Sequence, residues 1–231
     1  MKVNKKTTLG IIKSLLVIVG LYTIFASGCT SATIVKGDQH AFNSVSSKSA
    51  VVYFTYAENI GDTSALGVDA LTAASLHMPT DNAVNNTLLM VQEIKKRTSA
   101  DVYSIVVKEP YAPDFDVMKE RARREIENKE KVALKSAIPD LSSYDTVYIG
   151  SPIWWYTTPA PVRTFLEEVN LEGKRIIPFG IHRGSGMNAF IQVLRETQTN
   201  ATIADGFTVN APMSNDEVRS EFNSFLNSVG K

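Results

Sequence analysis

Short apolar runs alternate with segments of helical period from Val51 to the carboxyl end of the chain. Val51–Thr55 (VVYFT) is β-branched and aromatic without interruption, which predicts a strand buried on both faces. In Thr87–Lys96, Leu88, Val91 and Ile94 recur at helical spacing, and cations close the segment where they complement the helix dipole. Val102–Val107 reads as the next strand. Asp114–Lys131 then places Phe115, Met118, Ala122 and Ile126 on one helical face, with interleaved opposite charges making a solvated outer face. Strands over Thr146–Gly150, Arg175–Phe179 and Ala201–Phe207 follow, with helices over Ala160–Val169, Met187–Glu196 and Asn215–Val229. Strands joined through helices need right-handed crossovers, so the pattern predicts a parallel sheet covered on both faces. Ligands of such sheets lie beyond the carboxyl ends of the strands. The loops after Thr55, Gly150 and Phe179 are therefore the places to search for chemistry.

The amino-terminal stretch has a different character. Lys2, Lys5, Lys6 and Lys13 precede an uncharged, largely apolar run from Ser14 to Ala26, then Ser27-Gly28-Cys29. That run is shorter than the roughly 20 residues needed to span a bilayer and matches the apolar core of a secretory signal. Small residues directly before the only cysteine form a lipobox of the kind bacterial lipoproteins carry, with Ala26 where Leu is usual. Residues 1–28 are thus expected to be a signal peptide and Cys29 an acylated first residue. The alternative is an uncleaved membrane anchor with an incidental cysteine. In either case the domain is expected outside the cytoplasmic membrane, in the cell envelope. Residues 29–49 are rich in Ser, Thr, Lys and Gly without a period and read as a flexible tether, reaching roughly 25 Å on average. The folded domain is expected over residues 50–231.

Charge and cysteine count narrow the partners. The chain has 24 basic and 24 acidic residues; four of the basic ones precede Cys29, so the remainder carries 20 against 24. A mildly acidic body argues against a nucleic-acid partner, which requires a basic face. One cysteine excludes internal disulfides and a cysteine-based metal cluster, and His40, His77 and His182 are scattered without metal-ligand spacing. Arg183 and Met187 stand two places either side of Ser185, where the Gly-x-Ser-x-Gly elbow of hydrolases needs glycines, and no dinucleotide-binding glycine motif follows a strand. No residue is assigned a catalytic role.

Two loops stand out. Ser151-Pro152-Ile153-Trp154-Trp155-Tyr156 brings both tryptophans together on a loop stiffened by Pro159 and Pro161. Adjacent indoles do not easily both point inward; one suits the core, and an aromatic loop suits stacking on a planar ring. His182-Arg183-Gly184-Ser185-Gly186 sets small residues and a hydroxyl before a helix, where backbone can approach a ligand closely.

With these loops in view, the chain from Ala50 onward resembles the flavodoxin family. Asp140–Gly186 carries the likeness, together with EPYAPDFD after the second strand. More narrowly it is similar to the branch with Pro-x-Trp-Trp in the second flavin loop and Gly-Ser-Gly in the third. The resemblance implies an α/β fold, a flavodoxin-like three-layer α/β/α sandwich with a five-stranded parallel sheet in the order 2-1-3-4-5, and FMN as cofactor. It implies that Pro152, Ile153, Trp154 and Trp155 flank the isoalloxazine and that His182, Arg183, Gly184, Ser185 and Gly186 wrap its pyrimidine side. The phosphate loop departs from the family pattern of Ser/Thr-x-Thr-Gly-Asn-Thr. Thr55-Tyr56-Ala57-Glu58 follows the first strand, and Asn85-Asn86-Thr87 stands where Gly-Asn-Thr is expected. Thr55, Tyr56, Asn85, Asn86 and Thr87 are accordingly the phosphate-side candidates, with Asn85 taking the left-handed geometry of the missing glycine. Glu58 beside a dianion is unfavourable unless it points away. The insertion over residues 57–84 is apolar enough to fold, and either caps the phosphate end as a flap or packs on a neighbouring helix.

Two functions follow. One is an FMN-binding electron-transfer protein, or a small oxidoreductase served by an unidentified redox partner protein or a quinone, and held to the membrane by its lipid. The other is a surface binding lipoprotein that keeps the fold but has lost the flavin.

Overall fold

Alternation along the first buried run sets the architecture. Ala50, Val52 and Phe54 face one apolar layer, while Val51 and Tyr53 face the other. In the computed structural model, which describes residues 31–37, 48–61 and 85–229, this run is β2 (Ser49–Tyr53), after a strand β1 (Ser31–Val35). Then come α1 (Asn86–Thr98), β3 (Asp101–Ser104), α2 (Phe115–Glu127), β4 (Thr146–Pro152) and α3 (Ala160–Glu168). The chain closes with β5 (Arg175–His182), α4 (Asn188–Thr197), β6 (Thr202–Ile203), β7 (Gly206–Asn210) and α5 (Asn215–Val229). The expected signal peptide over residues 1–28, Cys29, His40, His77 and residues 62–84 of the insertion lie outside the described residues.

The sheet runs β1-β7-β5-β4-β2-β3, with β6 beside the start of β5. Its parallel core, β3-β2-β4-β5-β7, has the expected 2-1-3-4-5 order. Helices α1 and α5 cover one face; α2, α3 and α4 cover the other. Local sequence explains the helix starts. Asn85 accepts the Thr87 amide at 2.8 Å as N-cap of α1, and Asp114 accepts the Val117 amide at 2.9 Å at α2. Pro159 and Pro161 occupy the first turn of α3, where a missing N–H costs nothing. At α5, Ser214 and Glu217 cap each other's amides.

Three expectations are corrected. The expected single strand over Ala201–Phe207 is split into β6 and β7. Ile203 pairs with Ile176 and Phe207 with Phe179, so this side spends one residue more than β5 does, and the excess bulges opposite Pro178, which has no N–H to donate. The strand expected over Val102–Val107 stops its ladder at Ser104, beyond which Val107 bridges to Leu134 instead. Part of the expected tether over 29–49 is a strand: β1 pairs antiparallel with β7, from Ser31↔Asn210 to Val35↔Gly206, making a sheet of seven strands, not five. Beyond β1, Asp205 accepts from Lys36 Nζ at 2.7 Å and from the Gly37 amide at 2.9 Å. Gly37 passes so close to the Ala204 backbone that any Cβ there would overlap it.

Candidate functional site

The carboxyl ends of β2, β4 and β5 lie side by side, so their three loops converge on one edge of the sheet. After β4 the chain makes a two-residue turn. Trp154 and Thr157 exchange both backbone hydrogen bonds at 2.9 Å, and the central residues Trp155 and Tyr156 are left-handed at φ 48° and 65°. Consecutive left-handed aromatics are strained by about 1–2 kcal/mol each, and such strain concentrates at functional turns. The turn separates the two indoles. Trp154 is buried and meets Phe54, Tyr56 and Tyr111 edge-to-face, at centroid distances of 5.4, 6.3 and 5.3 Å. Trp155 is 42% exposed, and its Nε1 donates to the Lys119 carbonyl at 3.0 Å. A tight turn forces the division: neighbouring side chains on it leave on opposite sides.

Beside this turn is a cleft of about 300 Å³. Ile153, Trp154, Trp155 and Tyr156 form one wall and Arg183 and Ser185 another. Phe115, Met118, Lys119 and Ala122 of α2 close the third side. The helical period marks Phe115, Met118 and Ala122 as the inner face of a helix and Lys119 as part of its charged face; together they form a cleft wall. Only tertiary packing reveals this.

After β5, His182 is buried at the strand end, and its Nδ1 accepts the Gly184 amide at 3.0 Å. The same amide donates to Asn210 Oδ1 at 2.8 Å, so the end of β7 also braces the loop. Asn210 had no signal in the sequence, since the last strand was expected to end at Phe207. Burial holds the His182 imidazole below its ordinary pKa, consistent with a neutral ring whose Nδ1 is an acceptor. Gly184 and Gly186 take φ 87° and 68°, and a Cβ on either would meet no atom within 4 Å. Their need for glycine is thus conformational, and the space above them is open to a ligand.

The loop after β2 is more self-contained than the sequence suggested. Thr55 and Tyr56 are buried. Tyr56 donates its hydroxyl to the Ala112 carbonyl, and burial, with Asp114 nearby, raises its pKa to about 12, so it remains a donor. Glu58 does not point away. Its carboxylate accepts from Tyr53 Oη at 2.7 Å, Thr55 Oγ1 at 2.9 Å and Ser104 Oγ at 3.2 Å. The hydroxyl expected to serve a phosphate therefore already serves a carboxylate. Asn59, also buried, donates to the Thr55 and Ile105 carbonyls and accepts the Val107 amide at 2.7 Å. That amide ties the loop to the segment carrying Tyr111, whose hydroxyl donates to buried Glu125, itself paired with Arg121 at 2.7 Å.

At the start of α1, Asn85, Asn86 and Thr87 are all buried. Asn85 is an extended N-cap at φ −49°, not the left-handed residue expected, because its side chain caps the helix and so needs the ordinary capping geometry. Asn86 Nδ2 donates to the Met213 carbonyl at 3.3 Å, while its Oδ1 is buried without a hydrogen-bond partner. Helix α1 directs its first amides toward this edge of the sheet, as an anion site requires. The ring end of an FMN fits the residues present: an open-topped cleft, a half-exposed indole and a loop whose two left-handed glycines carry no Cβ over the space above them. The phosphate end fits through the helix start and not through the Thr55 hydroxyl.

The sequence profile of the family described as Flavodoxin matches residues 82–225. Among solved structures, a candidate flavoprotein from Bacteroides eggerthii aligns over 80% of this chain and 99% of its own, at 24% identity and TM-score 0.56. A second candidate flavoprotein, from Bacteroides uniformis, aligns over 77% and 98%, at 22% identity and TM-score 0.53. No curated protein matches the chain.

Proposed function

The chain belongs to the flavodoxin family, and from that membership and the three converging loops we propose that it binds FMN as an electron-transfer protein anchored outside the cytoplasmic membrane. The observation that carries this reading is the cleft of about 300 Å³ between the Trp155 turn and the loop of Arg183 and Ser185, lined by aromatic and apolar side chains. When bound, the flavin supplies one- and two-electron chemistry. The chain's part is to hold and orient it. Trp155 and Ile153 would cover its face, the Ser185 and Gly186 backbone would lie along its pyrimidine side, and the start of α1 would receive the phosphate. Met118, Ala122 and Phe115 keep water from the apolar edge. A redox partner, protein or quinone, completes the cycle, and Cys29 is the proposed lipid attachment.

A second reading, a flavodoxin fold that has lost its flavin, has one observation in its favour: Glu58 occupies the Thr55 hydroxyl. Mixing the purified protein with FMN separates the two. Retention of a visible band at about 450 nm through gel filtration, with quenched tryptophan fluorescence, is expected. The absence of both signals would select the second reading.

A further inference from the structure

We infer that β1 holds the cofactor edge of the domain against the bilayer surface. The inference rests on Cys29 carrying lipid, and its partner is the membrane itself. Because β1 is antiparallel to β7, its first residue, Ser31, lies opposite Asn210 at the carboxyl end of the parallel strands. Asn210 in turn pairs with His182 and holds the Gly184 amide of the cofactor loop. The chain therefore enters the fold at the cofactor edge, two interstrand steps, or about 10 Å, from the end of β5. Cys29 precedes Ser31 by two residues, a reach of at most about 7 Å. A lipid on that residue leaves no length for the domain to turn over. Had residues 29–49 been a free tether, roughly 25 Å of slack would have let any face meet the membrane.

The far end of β1 is fastened. Asp205 holds Lys36 and the Gly37 amide, and Gly37 is packed on the Ala204 backbone. A separate observation points the same way. Of the four exposed large apolar residues among those described, Ile34 is on β1, whereas Val117, Trp155 and Tyr156 rim the cofactor edge. Tyr156 is 77% exposed. Tryptophan and tyrosine are the side chains that favour the lipid headgroup region, since each has an apolar body and a polar tip. The flavin site would then open toward carriers dissolved in the bilayer.

The test uses the full chain, purified with its lipid and inserted in phosphatidylcholine–phosphatidylglycerol vesicles containing a spin-labelled phosphatidylcholine. A fluorophore is attached either at Asp216→Cys, at the start of α5 beside the cofactor edge, or at Glu172→Cys, in the loop before β5 at the opposite edge. Cys29, acylated, does not compete for the label. Quenching at least threefold stronger at position 216 is expected. Equal quenching, stronger quenching at 172, or a mature protein without lipid on Cys29 would overturn the inference. Inserting twenty Gly-Ser residues between Thr30 and Ser31 should abolish the contrast; an unchanged contrast would refute the role of β1. None of these readouts requires flavin, so the inference can fail while FMN binding stands, and the reverse.

Discussion

Truncating the two tryptophans one at a time should separate stability from ligand binding. Trp154 is 7% exposed and central to edge-to-face contacts with Phe54, Tyr56 and Tyr111. Trp154→Ala opens a cavity among rings that are themselves fixed, by the Tyr56–Ala112 and Tyr111–Glu125 hydrogen bonds, and cannot collapse into it. A loss of about 3–5 kcal/mol in folding stability is expected, the range for deleting a large aromatic core side chain. Trp155 behaves differently. Trp155→Gly removes one hydrogen bond, to the Lys119 carbonyl, worth about 0.5–1.5 kcal/mol, and relieves a left-handed residue costing about 1–2 kcal/mol. These nearly cancel, so stability should move by less than about 1 kcal/mol. FMN affinity should fall by about 1–3 kcal/mol, the range for losing an aromatic stacking face, or about 5- to 150-fold in Kd. Urea unfolding of the ligand-free protein followed by circular dichroism gives the first quantity, and titration of flavin fluorescence the second. The reasoning fails if both variants lose stability alike, or if Trp155→Gly binds FMN as the parent does.

Neutralising Glu58 should help the phosphate: Glu58→Gln is expected to tighten FMN by about 1 kcal/mol, the upper end for an exposed charge pair, and to leave riboflavin unchanged. Equal effects on both ligands would show that Glu58 acts only on the fold. Asn85→Ala removes the cap of α1 and should cost about 1 kcal/mol of stability, read by thermal unfolding, with a further loss of affinity for FMN but not riboflavin. A loss for both ligands alike would take the phosphate away from α1. Burial lowers the folded pKa of His182, so its contribution to stability is full above the unfolded value of about 6.5 and is lost as pH falls through the folded value. The stability difference between the parent and His182→Gln should therefore shrink on acidification across that window, in parallel with flavin release. A pH-independent difference would contradict the assignment.

The periodic signals in the chain settled the fold class, because a parallel sheet buried on both faces leaves uninterrupted apolar runs such as VVYFT and TVYIG. The start of the helix over Asn215–Val229 is legible because its capping pair, Ser214 and Glu217, is local. Turn chemistry likewise marked the Trp-Trp and Gly-Ser-Gly loops as the cofactor edge. Other features were decided in three dimensions. Which indole is buried depends on a turn geometry that neither tryptophan encodes alone. Glu58, though exposed, is held by hydroxyls from β2, its own loop and β3, partners up to 46 residues away. The cleft wall from α2 exists because the loops after β4 and β5 come to face Phe115, Met118, Lys119 and Ala122. Strand β1 ends in a β-branched run, Thr33-Ile34-Val35, too short to stand out from the Ser- and Thr-rich segment around it; it forms because β7 offers an open edge and Asp205 a partner. Local periodicity records what each segment buries, whereas an edge, a cleft or a captured carboxylate depends on what distant segments leave unsatisfied.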